Sequence, residues 1–304
     1  MLVIFAVFLL ACGYTDAQGQ GGYKISKLLT AHNTARTNPT YYSTFINSEY
    51  KAFTSTGGPG LGTHSIWGLS FNEATPGVFD ATISFLNVQA ALSTQTVDMG
   101  LSYAAYLQAK YLGDTLHSPG HTGANGSTPD QRMQAWSTPT IMASGESALG
   151  NNIPQKNETH MIADFIIDDG VATKGHRANV YTAGYSKVGF GLYKSTTGGD
   201  TNTYLIIDYT DSSYQCTNCN QITCQMQKDM GWDVYLKDIN ATDPCNPNNG
   251  TNNGTNNGTN GTTNGNGGIN GGTGPVIIGK TASIYQIATT AGMILITGLV
   301  MSMT

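Results

Sequence analysis

From Tyr23 to Pro39 the chain reads YKISKLLTAHNTARTNP, with apolar Ile25, Leu28, Leu29, Ala31 and Ala35 at the three-to-four-residue spacing of one helix face. The Asn38-Pro39 pair predicts where that helix ends. NEATPGVFDATISFLNVQAAL predicts a second helix, with Val78, Phe79, Ile83 and Leu86 on one side. DMGLSYAAYLQAKYLGDT predicts a third, with Leu101, Ala104, Ala105, Leu107, Ala109 and Leu112 apolar, and HMIADFIIDDG predicts a fourth, stopped at Gly170. The period changes late in the chain. KVGFGLYKS and NTYLIIDYTDS flank a Thr-Gly-Gly-Asp turn and predict a β-hairpin. The stretch from Ser55 to Ser70 has no periodicity and reads as a long loop. Helices collected early and strands late predict an α+β domain, with helices packed on an antiparallel sheet.

Both ends depart from this pattern. Leu2 to Ala11 has the length of a secretory apolar segment, and Thr15-Asp16-Ala17 offers a small-x-small cleavage site, so residues 1–17 read as a signal peptide. The start carries no Lys or Arg, a buried first strand is the alternative, and Leu9-Leu10-Ala11-Cys12 loosely resembles a lipoprotein box. Residues 18–214 form the head. Residues 247–275, rich in Asn, Gly and Thr, have too little apolar surface to offset the entropy of ordering and read as a flexible stalk. Residues 276–304 are apolar and carry no charge after Lys280. With small residues upstream, this is the pattern of a GPI-anchor signal; the alternative is a membrane-spanning helix near the lower length limit.

Composition narrows the functional classes. Only 11% of the 304 residues are charged, and the formal net charge is -5. There is no basic stripe, so a nucleic-acid partner is not expected. Apart from Cys12 in the leader, Cys216, Cys219, Cys224 and Cys245 cluster in residues 215–246. In an oxidising compartment they form two disulfides by one of three pairings and staple a small appendix; a zinc knuckle or redox pair at CTNC is the competing reading. Asn125, Asn157, Asn240, Asn249, Asn253, Asn257 and Asn260 each head a glycosylation sequon.

Four segments carry chemistry in register. SPGHTGANGSTPDQRM holds His121, MASGESALGNN holds Glu146, DFIIDDGVATKGHRANVY holds Asp168, Asp169 and His176, and YSKVGFGLY follows. Their order and wording resemble the CAP superfamily, also called the SCP or cysteine-rich secretory, antigen 5 and pathogenesis-related domain, in its bacterial and protozoan branch. The resemblance runs from AHNTARTNP to YLIIDYTDS. It implies an α-β-α sandwich with a cleft holding two histidines and two acids. By position these are His121, Glu146, His176 and Asp168. Asp168 stands where the family usually has a second glutamate, and the shorter side chain implies a weaker or shifted metal site, with Asp169 as an understudy. GES replaces the commoner GEN, and GHRANVY replaces the GHFTQ type.

Neutral imidazoles beside carboxylates bind a divalent ion of the Zn2+ type or hold one another by hydrogen bonds. His32, His64, His117 and His160 read as ordinary surface or hydrogen-bonded residues, and Arg36, Asn38 and Arg177 as structural. Two functions follow. One is a surface-anchored, non-enzymatic binding or signalling module with a metal-holding cleft and a lipid, sterol or protein partner. The other is a metal-dependent or unconventional extracellular peptidase using His176, Glu146 and His121 of the same cleft. Against the second, the chain has no H-E-x-x-H motif, and Leu149 breaks the nucleophile-elbow pattern around Ser147.

Overall fold

Asn38 and Pro39 end one helix and start the next. α1 (Ile25–Thr37) buries Ile25, Leu28, Ala31 and Ala35, and stops where Asn38 turns to φ -140°. The Asn38 side chain then accepts from the Tyr41 amide at 3.2 Å and caps α2 (Pro39–Ile46). Pro39 costs that helix nothing, because its first-turn position needs no N–H. The computed structural model describes residues 22–52, 61–64, 69–72, 76–151 and 156–246. All lie in the first of two units, Met1–Asn252 and Asn253–Thr304. The expected leader (1–17), stalk (247–275) and terminal apolar tail (276–304), with the sequons at Asn249, Asn253, Asn257 and Asn260, lie outside the described residues.

The stretch read as a loop holds a hairpin: β1 (Leu61–His64) pairs antiparallel with β2 (Leu69–Asn72), Leu61 opposite Asn72. Four-residue strands broken by glycine are too short to show an alternation. α3 (Val78–Val88) buries Val78, Phe79, Thr82 and Leu86. α4 (Met99–Tyr111) starts at Asp98, whose carboxylate accepts from the Gly100 and Leu101 amides at 2.9 and 3.2 Å. It continues as one π-helical turn, Leu112–Leu116.

The main sheet has the order β3-β5-β6-β4. β5 (Lys187–Lys194) and β6 (Thr203–Thr210) form the expected hairpin, with Lys187 opposite Thr210. β4 (Ser144–Asn151) pairs antiparallel with β6 along its length. β3 (Thr96–Val97) pairs parallel with β5, so the sheet is mixed at that edge rather than wholly antiparallel as expected. α4 lies against one face, where Ala105, Ala109 and Leu112 pack with Ala148, Tyr204 and Ile206. Gly189 and Gly191 permit this approach: a Cβ there would overlap the backbone at Leu101 and Ala105. On the other face Val188, Phe190, Leu205, Ile207 and Tyr209 meet Leu28, Ala35, Ile162 and Ile166 of α1 and α6 (Glu158–Ile167). The result is an α-β-α sandwich.

The cysteines pair as Cys216–Cys219 and Cys224–Cys245. The segment they staple carries α8 (Cys224–Asp229) and α9 (Trp232–Asp238), and packs Ile222, Met230, Trp232 and Tyr235 into the main core. Among the described residues no helix is long and apolar enough to cross a membrane.

Candidate functional site

The site forms at β4, the edge strand. Successive side chains on a strand alternate between faces, so Glu146 and Ala148 share the α4 face while Ser147 points to the other. The Glu146 side chain is 1% exposed and holds two cations or near-cations. Its Oε2 accepts from Arg132 Nη2 at 2.5 Å, and its Oε1 lies 2.8 Å from His121 Nδ1. Arg132 comes from α5 (Pro129–Gln134), a short helix fixed by a capping box between Thr128 and Gln131. Gln108 of α4 donates to the Gly120 carbonyl at 3.0 Å and ties down the loop that presents His121.

The second half is built where α6 stops. The helix ends at Ile167, not Gly170, because Asp168 takes the left-handed conformation (φ 54°, ψ 44°). Asp is one of the few side chains that tolerates this region, by bonding locally to backbone. Asp168 Oδ2 accepts from the His176 and Arg177 amides at 2.9 and 3.3 Å, while Oδ1 lies 2.8 Å from His176 Nδ1. One carboxylate thus anchors the first turn of α7 (Gly175–Val180) and orients the His176 ring. Arg177 works in the same turn. Its guanidinium donates to the Ile166 and Ile167 carbonyls at 2.5 and 2.9 Å, and so satisfies carbonyls left open at the end of α6. The tight bend after the two acids is therefore a helix stop and a ring clamp at once.

The two halves meet. The His121 and His176 rings lie 6.2 Å apart between centroids, tilted by 45°, and Phe165 packs edge-on against His176. The imidazoles face outward and the acids sit behind them: the His121 and His176 side chains are 51% and 20% exposed, whereas Asp168 is fully covered. A carboxylate at Nδ1 draws the proton to that nitrogen and leaves Nε2 as the outward-facing atom. Glu146 and Asp168, expected as metal donors beside His121 and His176, are engaged as the partners that orient them. Among the described residues, the one set of three or more His, Cys, Asp or Glu donor atoms within 4.8 Å of one another is Asp98 with Cys216 and Cys219, and both those sulfurs belong to a disulfide.

Charge is distributed unevenly through the cluster. Glu146 raises the His121 pKa through its hydrogen bond, against the opposing effect of burial. Directly across from Glu146 on β6 stands Asp208, fully buried, its carboxyl beside that of Glu146. Burial, then the neighbouring Glu146 charge, pushes its pKa well above the carboxylate range, with Arg132 pulling the other way. Asp208 thus resists ionisation behind the Arg132–Glu146 ion pair. Sequence reasoning passed over Asp208, Arg132 and Asn179, whose Nδ2 donates to the Glu146 carbonyl at 3.0 Å. A lone acid inside the apolar run YLIIDY was the available signal.

Other candidates stand apart. Ser147 is fully buried on the opposite face, where Asn179 donates to its Oγ at 3.2 Å. His32 is buried between Phe190 and Tyr209, His117 lies 3.5 Å from Asp200, and His160 belongs to the cap of α6. His64 is on β1. Asp169 is half-buried, and Asp168 is the acid that holds His176. Arg36 is buried, and its guanidinium donates to the carbonyls of Ser93, Val180, Thr182 and Tyr185.

The profile of the CAP family (Cysteine-rich secretory protein family) matches residues 29–209, from within α1 to β6. The chain belongs to the CAP family. The matched span contains both histidines and both acids of the cleft. No curated protein matches the chain. Similar solved structures include an outer surface protein from Borrelia burgdorferi, at 18% identity and a TM-score of 0.32, covering 40% of this chain and 79% of that one. Another is an extracellular protein containing a SCP domain from Bacillus anthracis, at 15% identity and a TM-score of 0.32, covering 44% of this chain and 39% of that one.

Proposed function

We propose that this CAP domain is a non-enzymatic binding module at the cell surface, whose cleft takes a divalent ion of the zinc type through His121 and His176. One observation carries the reading: two imidazoles lie 6.2 Å apart, each with Nδ1 tied to its own buried carboxylate. That donor set fits such an ion, since ligating histidines commonly give their other nitrogen to a carboxylate. Two Nε2 atoms would hold the ion, and its remaining positions would stay open to water or to a group on a partner. A protein, lipid or sterol partner is consistent with an open site of this kind.

The surface location rests on the leader, the sequon-rich stalk and the apolar tail in the sequence, and on two disulfides, which persist in oxidising compartments. A phosphatidylinositol-specific phospholipase should release intact protein from cells; retention on the membrane would argue for a spanning tail. The peptidase reading with His176, Glu146 and His121 has less support. The hydroxyl nearest in sequence to Glu146, that of Ser147, is fully buried on the other face of β4, where Asn179 donates to it at 3.2 Å.

Calorimetric titration of the folded protein with Zn2+ tests the metal reading. The expected result is one site, lost in the His121→Ala/His176→Ala double variant. Equal affinity in the double variant overturns it.

A further inference from the structure

At the opposite end of α6 from Asp168, a groove of about 480 Å³ runs between α1, α2 and the first turn of α6. Its volume is in the range of small-molecule sites. Asn157, Glu158 and Thr159, the three positions of an N-x-T sequon, all line it. A modification motif and a cavity thus coincide at the start of α6. We propose that Asn157 carries an N-linked glycan whose first sugars lie in this groove. The inference rests on the surface-protein reading, since only a chain crossing a glycosylating secretory route acquires such a glycan.

The chemistry at Asn157 leaves room for the link. The side chain caps α6 with its oxygen: Oδ1 accepts from the His160 amide at 3.2 Å and lies 2.9 Å from the His160 ring Nδ1. Nδ2 has no partner among the described residues, and the residue is exposed. In the transfer, Nδ2 forms a C–N bond to the anomeric carbon of a polyprenyl-diphosphate-linked oligosaccharide. The C–O bond to the diphosphate breaks, the amide gives up one proton, and the polyprenyl diphosphate leaves. The product keeps its C=O, so the cap survives modification.

The groove suits an N-acetylated sugar. Thr30 Oγ1 and Thr34 Oγ1 spend their hydrogens on the Ser26 and Thr30 carbonyls at 2.9 and 2.8 Å. They face the groove as acceptors for sugar hydroxyls and the acetamido N–H. Lys27 supplies a donor for the acetamido carbonyl. Tyr41, 45% exposed and among the large apolar side chains left uncovered, gives a flat face for a sugar ring.

The full chain expressed in eukaryotic cells and purified from their membranes would be mapped by glycopeptide mass spectrometry, then digested natively with a peptide N-glycosidase. The expected result is a glycan at Asn157 that is released about tenfold more slowly than those at exposed Asn125 and Asn240, the factor one aromatic contact supplies. Tyr41→Ala should remove the difference. Thr159→Ala should abolish the modification while keeping the Asn157 cap. Glycans elsewhere but none at Asn157, or equal release rates in the native protein, overturn this proposal alone. No glycan at any of the seven sequons overturns it together with the surface reading.

Discussion

Replacing Asp168 by Ala is the sharpest test of how the cleft is assembled. The side chain is fully covered and its two oxygens serve the His176 amide, the Arg177 amide and the His176 ring. Hydrogen bonds to a buried charge are worth about 1.5–3 kcal/mol each, and those sharing one carboxylate do not add fully. Ala also has no local bond to offset the left-handed backbone, a cost of about 1–2 kcal/mol. A loss of about 4–6 kcal/mol is expected. At about 2–4 °C per kcal/mol for a domain of this size, the melting temperature should fall by about 8–24 °C. Asp168→Asn keeps the backbone conformation and one acceptor, so it should lose less than half as much. Thermal unfolding followed by far-UV circular dichroism reads both. An Ala variant that melts with the native protein would refute the claim that this carboxylate joins α6 to α7.

Two more predictions concern buried groups. His32 has its pKa lowered to about 3, from an ordinary value of 6.5, by burial first and by Arg36 second. Above pH 6.5 the ring is neutral folded or unfolded and costs nothing. As pH falls from 6.5 towards 3 only the unfolded chain takes the proton, and stability drops by about 4–5 kcal/mol over that window. His32→Phe should flatten this acid sensitivity in denaturant melts at successive pH values; an unchanged slope would show that other groups govern it. Asp208 has its pKa raised, so the folded state binds a proton that the unfolded chain releases, and stability falls as pH rises above the ordinary carboxylate range. Asp208→Asn should therefore raise the melting temperature at pH 7 but not at pH 3; destabilisation at both would mean that the acid is charged and paired.

Much of this architecture is visible in the residue pattern, where burial on one face imposes a period. The apolar stripes of α1, α3, α4 and α6 and the β5–β6 hairpin lie where the spacing predicts, except that Leu107 of α4 is exposed. β4 is different: SGESALGN has weak strand propensity, and its pairing with β6 holds it in place. The same holds for β1 and β2, and for β3, which only its register with β5 defines. In the cleft, His121 and His176 were identifiable from family wording. The role of the acids was not, because whether a carboxylate ligates or orients depends on where a helix stops. Asp168 shows this: its left-handed backbone turns the carboxylate back onto α7, a fact of tertiary geometry with no periodic trace. Asp208 was hidden for a related reason, since only strand register puts it opposite Glu146.

The central claim is that His121 and His176 turn unprotonated Nε2 atoms into one cleft while their Nδ1 atoms stay with Glu146 and Asp168. Nitrogen-15 NMR of the imidazoles, recorded above the raised His121 pKa during Zn2+ addition, measures this atom by atom. The account predicts that both rings begin as Nδ1–H tautomers, and that both Nε2 resonances shift together and saturate at one equivalent while Nδ1 keeps its proton. Rings with the proton on Nε2, or Zn2+ moving one ring and not the other, would contradict it.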